Sequence, residues 1–197
     1  MNTPCTVWRR FVSETEQIAQ AKRGDDAAWV ALVRQHQEAV FRLAYLLLGD
    51  ADDAEDVAQE AFVRAWRALD RFDADRPLRP WLLEITRNQC FNWRRSARRY
   101  LAALGRWGAD EPAPVDPDAQ LAEAWQATVL WQAVRRLRVA DQEVIYLRCF
   151  LELSVEETAT ALKVAPGTVK SRLSRALQRL RERIEHEWPE LREEVAE

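Results

Sequence analysis

The stretch from Ser154 to Arg183 admits few folds. Ser154-Val155-Glu156-Glu157 has the form of a capping box: the serine side chain takes an N–H three residues on, and Glu157 reaches back to it. The helix so started runs through Thr158, Ala159 and Ala161 to Leu162. A turn at Lys163 to Ala165 follows, and Pro166, suited to a first helical position, opens a longer basic helix. Ala159 is small where two helices must approach, and Val155, Leu162, Val164, Val169 and Leu173 are placed to fill the corner. That arrangement sets a second helix into the DNA major groove.

On this second helix Thr168, Lys170, Ser171, Arg172, Ser174 and Arg175 occupy the first turns. Lysine and arginine there can read guanine edges, while hydroxyls and helix N-terminal N–H groups hold phosphate. The plain alternative is a solvated amphipathic helix. A helix-turn-helix alone is shared by many regulators, so it points to DNA and to nothing narrower.

The rest of the chain also reads as helix. Only five of 197 residues are glycine, and 48% are apolar, enough for one or two domains with real cores. Cys5, Cys90 and Cys149 are odd in number and far apart, which suits reduced thiols better than a disulfide framework or a metal knuckle. The longest apolar run, Leu43 to Leu48, is too short to span a bilayer, and Met1 to Arg10 lacks the apolar core of a secretory signal. A cytoplasmic protein is expected. Enzymatic chemistry is not: the only histidines are His36 and His186, and no glycine-rich phosphate loop or carboxylate–histidine cluster is present, so no metal or cofactor is expected. His36, spaced between Val33 and Val40, reads as a helix-packing residue.

The net charge of −3 conceals segregation. Lys163, Lys170, Arg172, Arg175, Arg179, Arg181 and Arg183 are opposed in their stretch only by Glu182, and Arg94, Arg95, Arg98 and Arg99 form a second basic block. Asp50, Asp52, Asp53, Glu55, Asp56 and Glu60 form an acidic one. Charge separated in this way suits two kinds of partner, one polyanionic and one basic.

Helical periodicity predicts one helix over about Asp26 to Leu48, stopped by Gly49. A second is capped by Asp52 or Asp53 and carries Val57, Ala61, Phe62, Ala65, Trp66 and Leu69 on one side. After the polar stretch Asp70 to Pro77, a third contains Pro80, Trp81, Leu82 and Ile85 and ends in the arginine block. The expected class is all-α: two small helical domains joined by a flexible acidic linker. The divisions are an N-terminal extension (1–23), a helical bundle (24–99), a Pro-rich linker (100–120), the helix-turn-helix domain (121–186) and an acidic tail (187–197).

Two blocks narrow the reading. Ala54-Glu55-Asp56-Val57-Ala58-Gln59-Glu60-Ala61-Phe62-Val63-Arg64-Ala65-Trp66 resembles the region 2 helix of extracytoplasmic-function sigma factors of bacterial RNA polymerase, and Pro77-Leu78-Arg79-Pro80-Trp81-Leu82-Leu83-Glu84-Ile85-Thr86-Arg87-Asn88 resembles that family's next helix. Gly167-Thr168-Val169-Lys170-Ser171-Arg172-Leu173, with Arg175-Ala176, resembles its region 4. The resemblance covers roughly Ala28 to Ile184, in the family's order and with a linker in its place.

It implies that Asp56, Gln59, Glu60 and Phe62 dock on the clamp coiled coil of the largest subunit of core RNA polymerase; Trp66, by its helical spacing, reads as core. It implies that the loop Arg71 to Leu78 captures an unstacked base of the −10 element through Phe72, Asp75 and Arg76. Arg87, Asn88, Asn92, Arg94 and Arg95 would then hold the separated strand. Trapping bases there would promote strand opening without hydrolysing a nucleotide, and Thr168, Lys170, Ser171, Arg172, Ser174 and Arg175 would read the −35 element as duplex. The implied partners are core polymerase, promoter DNA and an anti-sigma factor that hides both surfaces, with no membrane insertion.

The sequence departs from the family's pattern at a few positions. Lys163 stands where glycine is usual in the turn, and Ala165 where a capping hydroxyl is usual. Leu78 replaces a common aromatic, Asn92 a frequent aspartate, and Glu84 puts a negative charge on the helix toward DNA or solvent. The rival readings are an ordinary helix-turn-helix regulator and a sigma-like decoy for an anti-sigma factor.

Overall fold

The computed structural model describes residues 13–103 and 129–188, which form helices, turns and loops without a strand. The expected linker falls almost wholly outside the described residues, as do Cys5 and the tail beyond Trp188.

α1 (Glu14–Lys22) starts at Ser13, whose hydroxyl accepts the Glu16 N–H at 3.2 Å. α2 (Asp26–Leu48) is capped by Asp25, which takes the N–H groups of Ala27 and Ala28 at 2.9 and 3.2 Å. It ends at Gly49, whose φ of +82° is a left-handed conformation that a side chain resists. α3 (Ala51–Ala68) is capped by Asp50 rather than by Asp52 or Asp53: Asp50 accepts the Asp53 N–H at 2.9 Å. The left-handed turn at Gly49 already brings Asp50 to the cap. Asp52 and Asp53 therefore fall in the first turn, where the helix dipole favours them. A 3-10 turn (Leu69–Arg71) and the loop 72–77 lead to α4 (Leu78–Ala103).

These helices share one core, in which Leu32, Val40, Ala61, Ala65, Leu69 and Leu82 are buried. Ile18 and Ala21 of α1 belong to it, at 1% and 2% exposure, so the first bundle begins upstream of the expected boundary at residue 24. Ala58, Ala61 and Ala65 let α3 lie close to its neighbours, since alanine adds little bulk between helix axes.

In the second half, residues 129–135 are helical (α5), followed by α6 (Val139–Ile145), a wide turn over Tyr146–Phe150, α7 (Val155–Leu162) and α8 (Pro166–Glu187). The capping box forms as expected, with Ser154 accepting the Glu157 N–H at 3.0 Å and Glu157 accepting the Ser154 N–H at 2.7 Å. Lys163 takes the left-handed position usual for glycine, at φ 55°, at a cost of about 1 kcal/mol for a residue with a Cβ. Ala165 is the N-cap of α8 and makes no side-chain cap bond.

The two halves dock. Tyr146, Leu153, Ala159 and Leu162 from the second half join Leu43, Leu47, Leu83 and Cys90 from the first in a single buried cluster. Gly49 lies at this seam: a Cβ there would stand 2.5 Å from the Arg135 guanidinium.

Candidate protein and nucleic-acid interfaces

Helical spacing gives α3 two faces. Val57, Ala58, Ala61 and Ala65 point into the bundle, while Asp56, Gln59, Val63 and Trp66, spaced by three, four and three residues, follow one exposed stripe. Gln59 donates to Glu55 at 3.4 Å, and Glu60 pairs with Arg64 at 2.6 Å. Phe62 is half-buried at the margin, its ring edge-to-face with Trp29 at 6.3 Å. Trp66 is not a core residue. It is 38% exposed and lies 5.1 Å from Trp29, because its position follows the outer stripe one turn beyond Phe62. With Val30 and Val63 also exposed, the acidic face has an apolar rim.

The loop before α4 is held by apolar plugs at its two ends. Phe72 is 7% exposed with its ring 4.5 Å from Trp81, and Leu78 is fully buried. Phe72 thus forms the inner wall of the loop and does not present a free ring. Asp75 and Arg76 are exposed at the tip, over a turn in which the Asp73 carboxylate and carbonyl each accept a backbone N–H, from Asp75 and Arg76, at 3.1 Å.

On α4, Asn88, Asn92 and Arg95 face outward. Arg94 does not. Its guanidinium turns inward and donates to the Leu47 carbonyl, one of the carbonyls left without a helical partner at the end of α2. Burial pushes its pKa down, with Arg135 and Arg98 acting in the same direction. Arg94 is therefore a cap for α2 in this arrangement, and not an open strand contact.

Arg87 is also engaged. It forms a two-pronged ion pair with Glu143 of α6, one arm 3.4 Å long, and lies 5.0 Å over the Phe91 ring. The Glu143 side chain is only 4% exposed. Nothing in the local sequence around Glu143 signalled this role, which comes from the docking of the two halves. Two further polar contacts cross the seam. Arg79 donates to the Leu151 carbonyl at 2.8 Å, and Lys163 pairs with Glu84 at 2.7 Å. Glu84, expected to face DNA or solvent, is 15% exposed and faces the helix-turn-helix.

α8 is anchored by Val169 and Ala176, both fully buried, and by Arg179, which pairs with buried Asp141 at 2.8 Å. The opposite face carries exposed Lys170, Ser171, Ser174 and Arg175, with Thr168 and Arg172 half-buried beside them. Arg175 donates to the Ser171 carbonyl at 3.0 Å, folding its head back along the helix.

The class defined by these features is a factor helical throughout its described elements, with an acidic, apolar-rimmed face on one unit and a helix-turn-helix on the other. Residues 32–100 match the family described as sigma-70 region 2, and residues 128–180 match sigma-70, region 4. The ECF RNA polymerase sigma factor SigW of Bacillus subtilis is 32% identical over 178 residues, covering 86% of this chain and 95% of that protein. SigL of Mycobacterium tuberculosis is 34% identical over 166 residues, covering 84% and 93%. Among solved structures, CnrH in complex with the cytosolic domain of CnrY has a TM-score of 0.65 at 29% identity, covering 88% of this chain and 97% of that one. The sigma factor RpoE bound to the anti-sigma factor NepR from Bartonella quintana has a TM-score of 0.67 at 28% identity, covering 79% and 95%. The chain belongs to the ECF family of RNA polymerase sigma factors, and its function is that of a sigma factor in transcription initiation. Among the described residues no helix is long and apolar enough to cross a membrane.

Proposed function

We propose that residues 24–99 dock on core RNA polymerase and take the −10 element, while residues 121–186 read the −35 element. The observation that carries this is the exposed stripe of α3. Asp56 and Gln59 stand free of the bundle beside a rim of Val63 and Trp66, with Glu60 and Phe62 at its edges. An acidic stripe guides encounter with a basic helix pair, and the apolar rim supplies area to bury. Asp75 and Arg76 offer polar groups to an extruded base, with Phe72 as the wall behind them. Asn88, Asn92 and Arg95 line the path of the separated strand, which Arg87 joins once Glu143 is displaced. Thr168, Lys170, Ser171, Arg172, Ser174 and Arg175 face the duplex. Trapping unstacked bases offsets the cost of strand separation, so the chain acts without catalysing a reaction of its own.

Two solved relatives are held by other proteins, CnrH by CnrY and RpoE by the anti-sigma factor NepR. An anti-sigma partner covering the α3 stripe is proposed here by analogy, in a cytoplasmic setting. The test is co-elution with purified core polymerase. Wild type and Lys170→Ala are expected to co-elute, and Asp56→Arg to elute free. Retention of Asp56→Arg at wild-type level would refute the docking face.

A further inference from the structure

Both ends of the loop before α4 are tied to α1, which lies upstream of the residues matched to sigma-70 region 2. In its last turn, Lys22 donates through Nζ to the Phe72 carbonyl and, at 3.4 Å, to the Asp70 carbonyl. In its first turn, Glu14 accepts the Leu78 N–H at 3.4 Å, one of the unsatisfied donors at the start of α4. Glu14 is itself fixed, by His36 Nε2 at 2.9 Å and Gln35 Nε2 at 3.3 Å. Lys22 lies eight positions after Glu14, so the two ties stand about 12 Å apart along α1. Ile18 and Ala21 lie between them, buried in the same cluster as Phe72 and Leu78.

We infer that α1 is the brace of the −10 loop, with Lys22 and Glu14 as positioning residues for promoter selectivity. The inference rests on the reading of Asp75 and Arg76 as the groups that meet the base. Neither tie touches the loop's tip. Together they hold the entry, at residues 70 and 72, and the exit, at residue 78, at a set separation. The exposed residues between them have little else to fix them, since among the described contacts only the Asp73 turn is internal to the loop. A polar pocket selects one base only if its donors and acceptors are held in place, because a mobile group satisfies several bases almost equally well. Lys22 suits the entry: an ammonium carries three donors and no acceptor, and it meets two carbonyls at the end of a 3-10 turn.

The experiment uses the full chain assembled with core polymerase. Initiation is measured on promoters varied one base at a time in the −10 and −35 elements, for wild type, Lys22→Met, Lys22→Arg, Glu14→Ala and the loop variants Asp75→Ala and Arg76→Ala. Each readout is a ratio between promoters, so it does not depend on how much of a variant is folded. Lys22→Met and Glu14→Ala are expected to flatten −10 discrimination about fivefold, the low end of what one base position contributes. They leave −35 discrimination intact, and Lys22→Arg restores the −10 preference. Undiminished −10 discrimination in Lys22→Met, with the loop variants altered, overturns the brace while leaving the loop as the reader. Equal losses at both elements show that α1 acts on the whole chain rather than on the −10 loop, and also overturn it. Unaltered discrimination in the loop variants removes the reading on which the brace rests, and the brace with it.

Discussion

Lys163 and Glu84 face each other across the seam between the two halves, Nζ to Oε1 at 2.7 Å. One stands in the turn of the helix-turn-helix and the other on α4. The pair is one of the polar links between the two halves. Lys163 is well exposed, so by itself the pair contributes little, about 0–1 kcal/mol. Its weight lies in company with the Arg87–Glu143 pair, the Arg79–Leu151 bond and the apolar cluster beneath them.

Cys90 reports on that seam. It is 1% exposed within the shared cluster, and burial pushes its thiol up to about 12, so the reactive thiolate is scarce. Alkylation at pH 8, followed by peptide mapping, should label exposed Cys149 and leave Cys90 largely unmodified. Glu84→Lys places two ammonium groups together and should speed Cys90 labelling, and Glu84→Lys with Lys163→Glu should slow it again. Equal Cys90 rates in all three chains would show that the pair does not bias docking.

Arg87 serves either Glu143 or a nucleic-acid strand. Glu143→Gln keeps the shape and removes the charge that holds the guanidinium. Binding of a single-stranded oligonucleotide should then gain one phosphate contact, steepening the salt dependence of log K by about 0.7. Fluorescence anisotropy over a range of salt concentrations measures this, and Arg87→Ala in the same background should abolish the gain. An unchanged slope in Glu143→Gln would place Arg87 off the strand's path.

His36 is 5% exposed, and its pKa is lowered. Burial is the main cause; Glu14 pulls the other way and Arg79 adds to the lowering. In the unfolded chain the ring takes a proton near pH 6.5, whereas in the folded chain it does so only at lower pH. Between those values the unfolded state binds more protons, so the His36 contribution is full above pH 6.5 and lost as pH falls through the folded value. Thermal unfolding of wild type should weaken across that window more steeply than that of His36→Gln. Parallel curves would contradict it.

The caps of the helix-turn-helix bracket its stability. Ser154→Ala removes a two-way capping box and should cost about 1 kcal/mol, while Ala165→Ser supplies the hydroxyl that α8 lacks and should return about as much. Chemical denaturation with a constant slope measures both. No gain from Ala165→Ser would mean that the N-terminus of α8 is already satisfied.

Local chemistry made much of this fold legible. Ser154, Pro166 and the apolar corner around Val169 determine the helix-turn-helix from neighbouring residues alone, as Gly49 determines the end of α2. What depended on docking was not legible. Glu143 looks like any surface glutamate until α6 meets α4, and Arg94 looks like a strand contact until the end of α2 offers it a carbonyl. Trp66 was misplaced because an aromatic at helical spacing fits core and rim alike, and only the narrow alanine face of α3 shows which. α1 is hard to read because its nine residues carry a short apolar stripe, Ile18 and Ala21, whose buried cluster is completed by other helices.

The most direct test of the whole reading is transcription in vitro. Purified chain and core RNA polymerase are given a pool of templates with random upstream sequence, and the transcripts that start at defined positions are sequenced. Wild type should initiate from templates sharing two separated elements, and Asp56→Arg should lose that initiation while keeping its fold. DNA binding without initiation, unaffected by Asp56→Arg, would contradict a sigma factor and leave an ordinary helix-turn-helix regulator.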